Sequence, residues 1–233
     1  MPTLRAATMP LAPPPLYAGP SRRDGVRRDG TPRAVHRYSG SRVMAATPRP
    51  YVFLDRDGTL NVDRGYVHRW DDWEFLGGVI EALERFRNRG FGLVVVTNQS
   101  GVARGLYGED DVRVLHSQVN RWLRCRGIAI DAFRYCPHGP DVQCGCRKPA
   151  TGMVANWVAE TGAVPDYSRS WTIGDRLTDI EFGKALGTRT VLLAPTPPNT
   201  RNADTTPDFV CRDLCDAADI IFRHGPPLES RDA

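Results

Sequence analysis

Lysine is nearly missing from this chain: Lys148 and Lys184 stand against 29 arginines. Long apolar runs are missing as well. No stretch of about 18 apolar residues occurs, which excludes a helical membrane span. No apolar core of a secretory signal precedes the six cysteines, and three of those crowd into residues 136–146. That pattern argues against a disulfide framework and for metal binding in a reducing compartment, so the expected location is cytoplasmic. No internal repeat is evident, which excludes a stacked-repeat architecture. Positive charge is also absent where a nucleic-acid binder would need it. The net charge is +4, but residues 1–50 hold nine Arg and two Asp, or +7, which leaves −3 for the remainder. A mildly acidic body is not built to grip nucleic acid.

The leader is compositionally distinct. Residues 1–50 carry nine of the 19 prolines and no sustained apolar periodicity. Residues 1–49 therefore read as an Arg/Pro-rich disordered extension, unable to bury enough apolar surface to offset the entropy of ordering. Of a basic tail, a targeting segment and an extension upstream of a misplaced start, the last is the expectation, with Met44 as the alternative start. Residues 50–225 read as one domain and 226–233 as a C-terminal tail.

Within the domain, apolar runs alternate with helical stripes. Strands are expected at Tyr51–Leu54, Leu93–Val96, Ile128–Ile130 with Phe133–Tyr135, Trp171–Ile173, Thr190–Leu193 and Asp208–Val210. Between them, Val79, Ile80, Leu83 and Phe86 share one helical face, as do Val112, Leu115, Val119 and Leu123. Further helices are expected over Met153–Glu160, Asp179–Leu186 and Leu214–Phe222. Strand–helix alternation predicts an α/β fold, a Rossmann-like parallel sheet with helices on both faces. Ligands bind such sheets at the carboxyl ends of the strands. Asp55/Asp57, Thr97/Asn98 and Asp175 all fall there.

Asp55 and Asp57 follow a buried strand one residue apart, so they start on the same side. By itself the pair fits a turn, a cation site, or a nucleophile with its acid/base partner. The other strand ends favour phosphoryl transfer. Asp55 would attack phosphorus and Asp57 would protonate the leaving oxygen and later activate water. A carboxylate attacking a phosphate dianion needs a divalent cation, and Asp175 supplies a third acid suited to Mg²⁺. Asp179 completes a Gly-Asp-x-x-x-Asp spacing, either as support for the metal ligands or as a helix-start acid. Thr97, the Asn98 backbone and Lys148 suit phosphoryl oxygens, with Arg147 beside Lys148. Cys136, His138, Cys144 and Cys146 lie within eleven residues and form a Cys₃His set for structural zinc, a zinc-binding loop. Cys125, Cys211 and Cys215 read as ordinary thiols, and His68 and His116 as surface or helix residues without a partner.

Asp55-Arg-Asp-Gly-Thr-Leu, Thr97-Asn, Lys148-Pro and Gly174-Asp-x-x-x-Asp179 resemble the four ordered motifs of the haloacid dehalogenase superfamily of phosphatases. Asn61-Val-Asp-Arg-Gly-Tyr-Val, Thr97 to Gly105 and the Cys/His loop are similar to those of D-glycero-D-manno-heptose 1,7-bisphosphate 7-phosphatases. Histidinol-phosphate phosphatases share the catalytic and zinc motifs. The resemblance implies Asp55 as nucleophile, Asp57 as acid/base, and Mg²⁺ held by Asp55, the Asp57 carbonyl and Asp175. It implies Thr97 and Lys148 on the transferring phosphoryl group. Asp63, Arg64, Gly65, Tyr66, Asn98, Gln99, Ser100, Arg147 and Arg176 would line a sugar bisphosphate, with a product used in nucleotide-activated heptose synthesis. The loop between His138 and Cys144 is shorter than in some heptose phosphatases, and Arg176 stands where Lys is familiar. No inserted segment is long enough for a large cap domain, and a monomer is expected. The competing classes are a non-catalytic zinc-stabilised interaction module and, on the leader alone, a nucleic-acid binder.

Overall fold

The computed structural model describes residues 47–195 and 205–225. The extension over 1–46 and the tail over 226–233 lie outside the described residues. Six strands, β1 (Tyr51–Leu54), β2 (Gly92–Asn98), β3 (Ala132–Cys136), β4 (Trp171–Gly174), β5 (Arg189–Leu193) and β6 (Phe209–Cys211), form one sheet in the order β3-β2-β1-β4-β5-β6. Every pairing is parallel. The helices are α1 (Val79–Asn88), α2 (Glu109–Arg124), α3 (Gly152–Thr161), α4 (Leu177–Leu186) and α5 (Leu214–His224).

A parallel sheet is buried on both faces, which is why β1 and β2 read as unbroken apolar runs. Val52, Leu54, Leu93 and Val95 point into one core with α1, α2 and α5. Tyr51, Phe53, Val94 and Val96 point into the other with α3 and α4. Successive strands step outward from β1 to β3 and then return to β4, on the other side of β1. With right-handed crossovers that reversal moves the connecting helices to the opposite face. It also opens a crevice between the C-terminal ends of β1 and β4, and Asp55 and Asp175 follow those two strands directly.

The connections β1–α1 (residues 55–78) and β2–α2 (residues 99–108) are loops without a separate domain. Among the described residues, no helix is long and apolar enough to cross a membrane. Two expectations need correction. Ile128–Ile130 is not a strand: both Asn120 amide atoms bond the Ile130 backbone, and Ile128 and Ile130 enter the core from a loop. Arg49, assigned to the leader by composition, is built into the domain. Its guanidinium donates to the Gly90 and Phe91 carbonyls, and its backbone N–H donates to Val164.

Candidate active site

Asp55 lies at the floor of the crevice, 8% exposed. Lys148 reaches it from the loop after β3, with Nζ 2.6 Å from Asp55 Oδ1 and 2.6 Å from Asp179 Oδ1. The Lys148 backbone is held in turn by the Asn98 side chain, which accepts from Lys148 N at 3.0 Å and donates to Lys148 O at 3.2 Å. Asp179 serves two purposes. One oxygen meets Lys148, and the other accepts the Arg176 backbone N–H at 3.1 Å, closing the first turn of α4. The helix-start acid and the acid that supports the cluster are thus one residue.

Two glycines make room for this packing. A Cβ on Gly174 would stand 2.2 Å from Asp179 Oδ2, and one on Gly58 (φ +80°) would stand 2.3 Å from Asp175 Oδ2. Asp55, Asp175 and Asp179 present oxygens within 4.8 Å of one another. Lys148 pairs with two of these acids, Asp55 and Asp179, while among the described residues Asp175 meets only Arg176 Nε at 3.9 Å, and the electrostatics register the deficit. Burial, with Asp179 nearby, pushes Asp55 up to about 7 against the pull of Lys148. Burial and Asp179 likewise push Asp175 up to about 6. Lys148 is raised despite its burial, because both carboxylates hold its proton. Asp175 Oδ1 is buried without any hydrogen-bond partner. An orphaned carboxylate oxygen beside surplus negative charge is what a hard divalent cation would satisfy, so the donor set fits Mg²⁺.

Asp57 is organised separately. Arg56, fully buried, forks onto it through Nε (3.0 Å) and Nη2 (2.9 Å). Asn61 Nδ2 and Gln99 Nε2 each donate to Asp57 at 3.0 Å. The remaining N–H groups of Arg56 reach the Val67 carbonyl at 2.6 Å and His116 Nε2 at 3.3 Å. A guanidinium only donates, so His116 Nε2 is the acceptor and its proton sits on Nδ1. Burial and the Arg56 charge hold His116 well below its ordinary pKa. His116 also stacks on Phe133 at 4.8 Å, and His68 stacks on Tyr107 at 4.7 Å. Neither histidine is the partnerless residue expected from the sequence.

Above these groups lies a cavity of about 680 Å³, which Asp55, Asp57, Thr97 and Lys148 line together. Asp63, Gly65, Tyr66, Asn98, Gln99, Ser100, Arg147 and Arg176 line it too. Arg64 does not: it pairs with Glu74 on the surface. Arg176 Nη2 lies 3.0 Å from Asp63 Oδ2, so the two walls meet across the opening. Cys136, His138, Cys144 and Cys146 form a second cluster with sulfur–sulfur separations of 3.2–3.7 Å and no disulfide. His138 Nδ1 is 3.2 Å from Cys146 Sγ. Such spacings suit the corners of a tetrahedron around zinc. Arg147 donates to the His138 carbonyl at 3.1 Å, which ties the cavity's rim to this cluster.

Comparison with known proteins bears on this arrangement. A family model for HAD-hydrolase-like proteins matches residues 145–217. The D-glycero-beta-D-manno-heptose-1,7-bisphosphate 7-phosphatase of Photorhabdus laumondii subsp. laumondii is 40% identical over 181 residues, 74% of this chain and 95% of that protein. The chain belongs to the haloacid dehalogenase-like phosphatases. The similarly named protein of Escherichia coli K12 is 39% identical over 188 residues, covering 77% and 97%. The crystal structure of the D,D-heptose 1.7-bisphosphate phosphatase of B. bronchiseptica, complexed with magnesium and phosphate, matches with a TM-score of 0.66 and 31% identity. That match covers 76% of this chain and 99% of the other.

As a phosphatase of this family the protein is a phosphoric monoester hydrolase. Several residues now visible around its acids went unnoticed in the sequence. Arg56 stands between two aspartates, but arginine is almost never fully buried unless paired, so residue type alone does not mark it as a buried partner of Asp57. Asn61 opens the Asn61-Val-Asp-Arg-Gly-Tyr-Val motif, but its hold on Asp57 has no local signal, and Tyr107 has none at all. Tyr107 matters because its hydroxyl donates to Gln99 Oε1 at 2.7 Å, and Gln99 Nε2 then bridges Asp57 and Thr97 Oγ1.

Proposed function

We propose that this phosphatase removes the 7-phosphate of D-glycero-D-manno-heptose 1,7-bisphosphate through an aspartyl-phosphate on Asp55, in nucleotide-activated heptose biosynthesis. One observation carries the reading: a buried carboxylate with a lysine at 2.6 Å and a separately held Asp57 share a cavity whose rim carries Arg147 and Arg176. The lower groups suit the reacting phosphate and the rim cations a second one. Relatives about 40% identical bear the name of that activity, with the β anomer specified.

An Asp55 oxygen bonds to phosphorus as the ester P–O bond breaks. Asp57 delivers its proton to the departing sugar oxygen. Asp57 then takes a proton from water as the water oxygen attacks phosphorus, which returns Asp55 as a carboxylate and releases inorganic phosphate. Lys148 and Thr97 face the phosphoryl oxygens. Asp55, the Asp57 carbonyl and Asp175 would hold Mg²⁺. Bound there, it would neutralise charge on the phosphoryl group. Zinc in the Cys₃His cluster would be structural, fixing the loop that delivers Arg147 and Lys148. A cytoplasmic monomer acting on a small molecule completes the reading.

The test is phosphate release from both anomers of heptose 1,7-bisphosphate, histidinol phosphate and fructose 1,6-bisphosphate, with Asp55→Asn as control. The β-heptose bisphosphate should lead in kcat/KM by at least about tenfold, and Asp55→Asn should abolish turnover while remaining folded. A preference for histidinol phosphate would reassign the substrate. Unchanged turnover by folded Asp55→Asn would remove the covalent mechanism.

A further inference from the structure

A general acid must keep its carboxyl aimed at one oxygen of a bound ester, and misaim by about 1 Å costs on the order of a hundredfold. Besides the Asn61 amide, what aims Asp57 here is a pair of connections to a single loop, residues 62–69. In the first, Arg56 forks onto Asp57 with Nε and Nη2 while Nη2 also donates to the Val67 carbonyl. In the second, the Tyr107 hydroxyl fixes Gln99, whose Nε2 donates to Asp57, and the Tyr107 ring stacks at 12° on His68. Both connections end on adjacent residues, Val67 and His68. That loop also carries Asp63, Gly65 and Tyr66 into the cavity wall, and Tyr66 adopts φ +59°, a conformation uncommon outside glycine.

The burden on Arg56 is large for a side chain outside the cavity lining. A fully desolvated guanidinium costs several kcal/mol unless its donors are matched. Here the Asp57 fork, a backbone carbonyl, the neutral His116 ring and the Trp73 face at 5.9 Å all receive it. The groups meeting Arg56 come from two places: the β1–α1 loop, which supplies Asp57, Val67 and Trp73, and α2, which supplies His116. An arrangement this closed holds one orientation.

We infer that Arg56 and Tyr107 are positioning residues that couple the 62–69 loop to the acid/base carboxylate of Asp57. Substrate groups that settle against the loop hold Val67 and His68 in place. Asp57 is thereby held in line with the leaving oxygen. The inference rests on the acid/base reading of Asp57 above and does not depend on which sugar is bound.

The leaving group supplies a test that a structural role would not satisfy. An alkyl phosphate expels a strongly basic alkoxide and needs the Asp57 proton. p-Nitrophenyl phosphate expels a stable aryl oxide and needs it little. Since kcat/KM reports steps up to formation of the phosphoenzyme, only the alkyl ester should respond to a misaimed acid. The measurement is kcat/KM for p-nitrophenyl phosphate and for the best alkyl substrate of the wild type, in Arg56→Met, Tyr107→Phe, His68→Ala and His68→Phe. The alkyl value should fall by at least about tenfold in Arg56→Met and severalfold in Tyr107→Phe and His68→Ala, with the aryl value within about twofold. His68→Phe keeps a stacking ring and should restore the alkyl rate. Should Arg56→Met fold poorly, Tyr107→Phe and the His68 pair carry the test unaided. Parallel loss on both esters, or no loss on either, overturns the inference. If the heptose assignment alone is wrong, the wild type will prefer another alkyl ester, and the alkyl/aryl contrast will persist on that one.

Discussion

Replacing Lys148 by methionine removes one ammonium from between two carboxylates while keeping the length of the side chain. Its Nζ stands 2.6 Å from both Asp55 and Asp179, and all three side chains are less than a tenth exposed. At an effective dielectric near 20, each contact is worth about 6 kcal/mol of attraction, most of it cancelled by desolvating the charges. What remains after substitution is the more useful quantity. Two buried acids lose their cation, and breaking a buried pair in this way costs about 3–5 kcal/mol. For a domain of this size that is roughly 6–20 °C in melting temperature. The loss will sit at the low end if one of the acids takes up a proton. Turnover should fall by about 10²–10³, the usual cost of losing one donor to a reacting oxyanion. The assay is thermal unfolding in the absence of added metal, with p-nitrophenyl phosphate hydrolysis alongside. Lys148→Met/Asp179→Asn provides the internal check, since Asn keeps an acceptor for the Arg176 N–H but strands no charge. It should recover about 1–2 kcal/mol relative to Lys148→Met. A single-variant loss under about 1 kcal/mol with turnover within tenfold of wild type would refute the electrostatic account of the cluster.

His116 predicts a pH dependence. Its folded pKa is depressed below the ordinary 6.5 by burial and by Arg56. As pH falls through about 6.5, the unfolded chain gains a proton that the folded one refuses, so stability drops on the acid side. His116→Gln should flatten the melting-temperature profile between pH 8 and 5, and an unaltered slope would show that His116 is not responsible. The cysteine cluster predicts a metal dependence. Cys144→Ala should abolish zinc in a metal analysis by mass spectrometry and lower the melting temperature by several degrees. It should also raise KM for a bisphosphate more than for p-nitrophenyl phosphate, because Arg147 is tied to the His138 carbonyl. Equal effects on the two KM values would dissociate the cluster from the rim of the cavity.

The strands, the helices and the main chemical groups were readable from the chain alone because each depends on local information. Unbroken apolar runs such as Leu93–Val96 mark strands buried on both faces, and stripes such as Val112, Leu115, Val119 and Leu123 mark helices that cover them. Asp55 and Asp175 could be named from residue type and strand-end position and Lys148 from its place beside Arg147 in the Cys-rich loop, and the structure gathers them although Lys148 and Asp55 are 93 residues apart. Ile128–Ile130 misled, since a short apolar run fits a buried loop as well as a strand when an Asn120 side chain takes the place of the ladder.

Sequence by itself determined the doubly covered parallel sheet, the order of its acids and the thiolate–imidazole set, all of which rest on periodicity or on chemistry concentrated within a few residues. Only the tertiary structure decided the contacts of Arg56, His116 and Tyr107, and the division of Asp179 between Lys148 and the start of α4. A guanidinium can be buried only if acceptors from distant segments converge on it, and that convergence is a property of packing rather than of any stretch of chain.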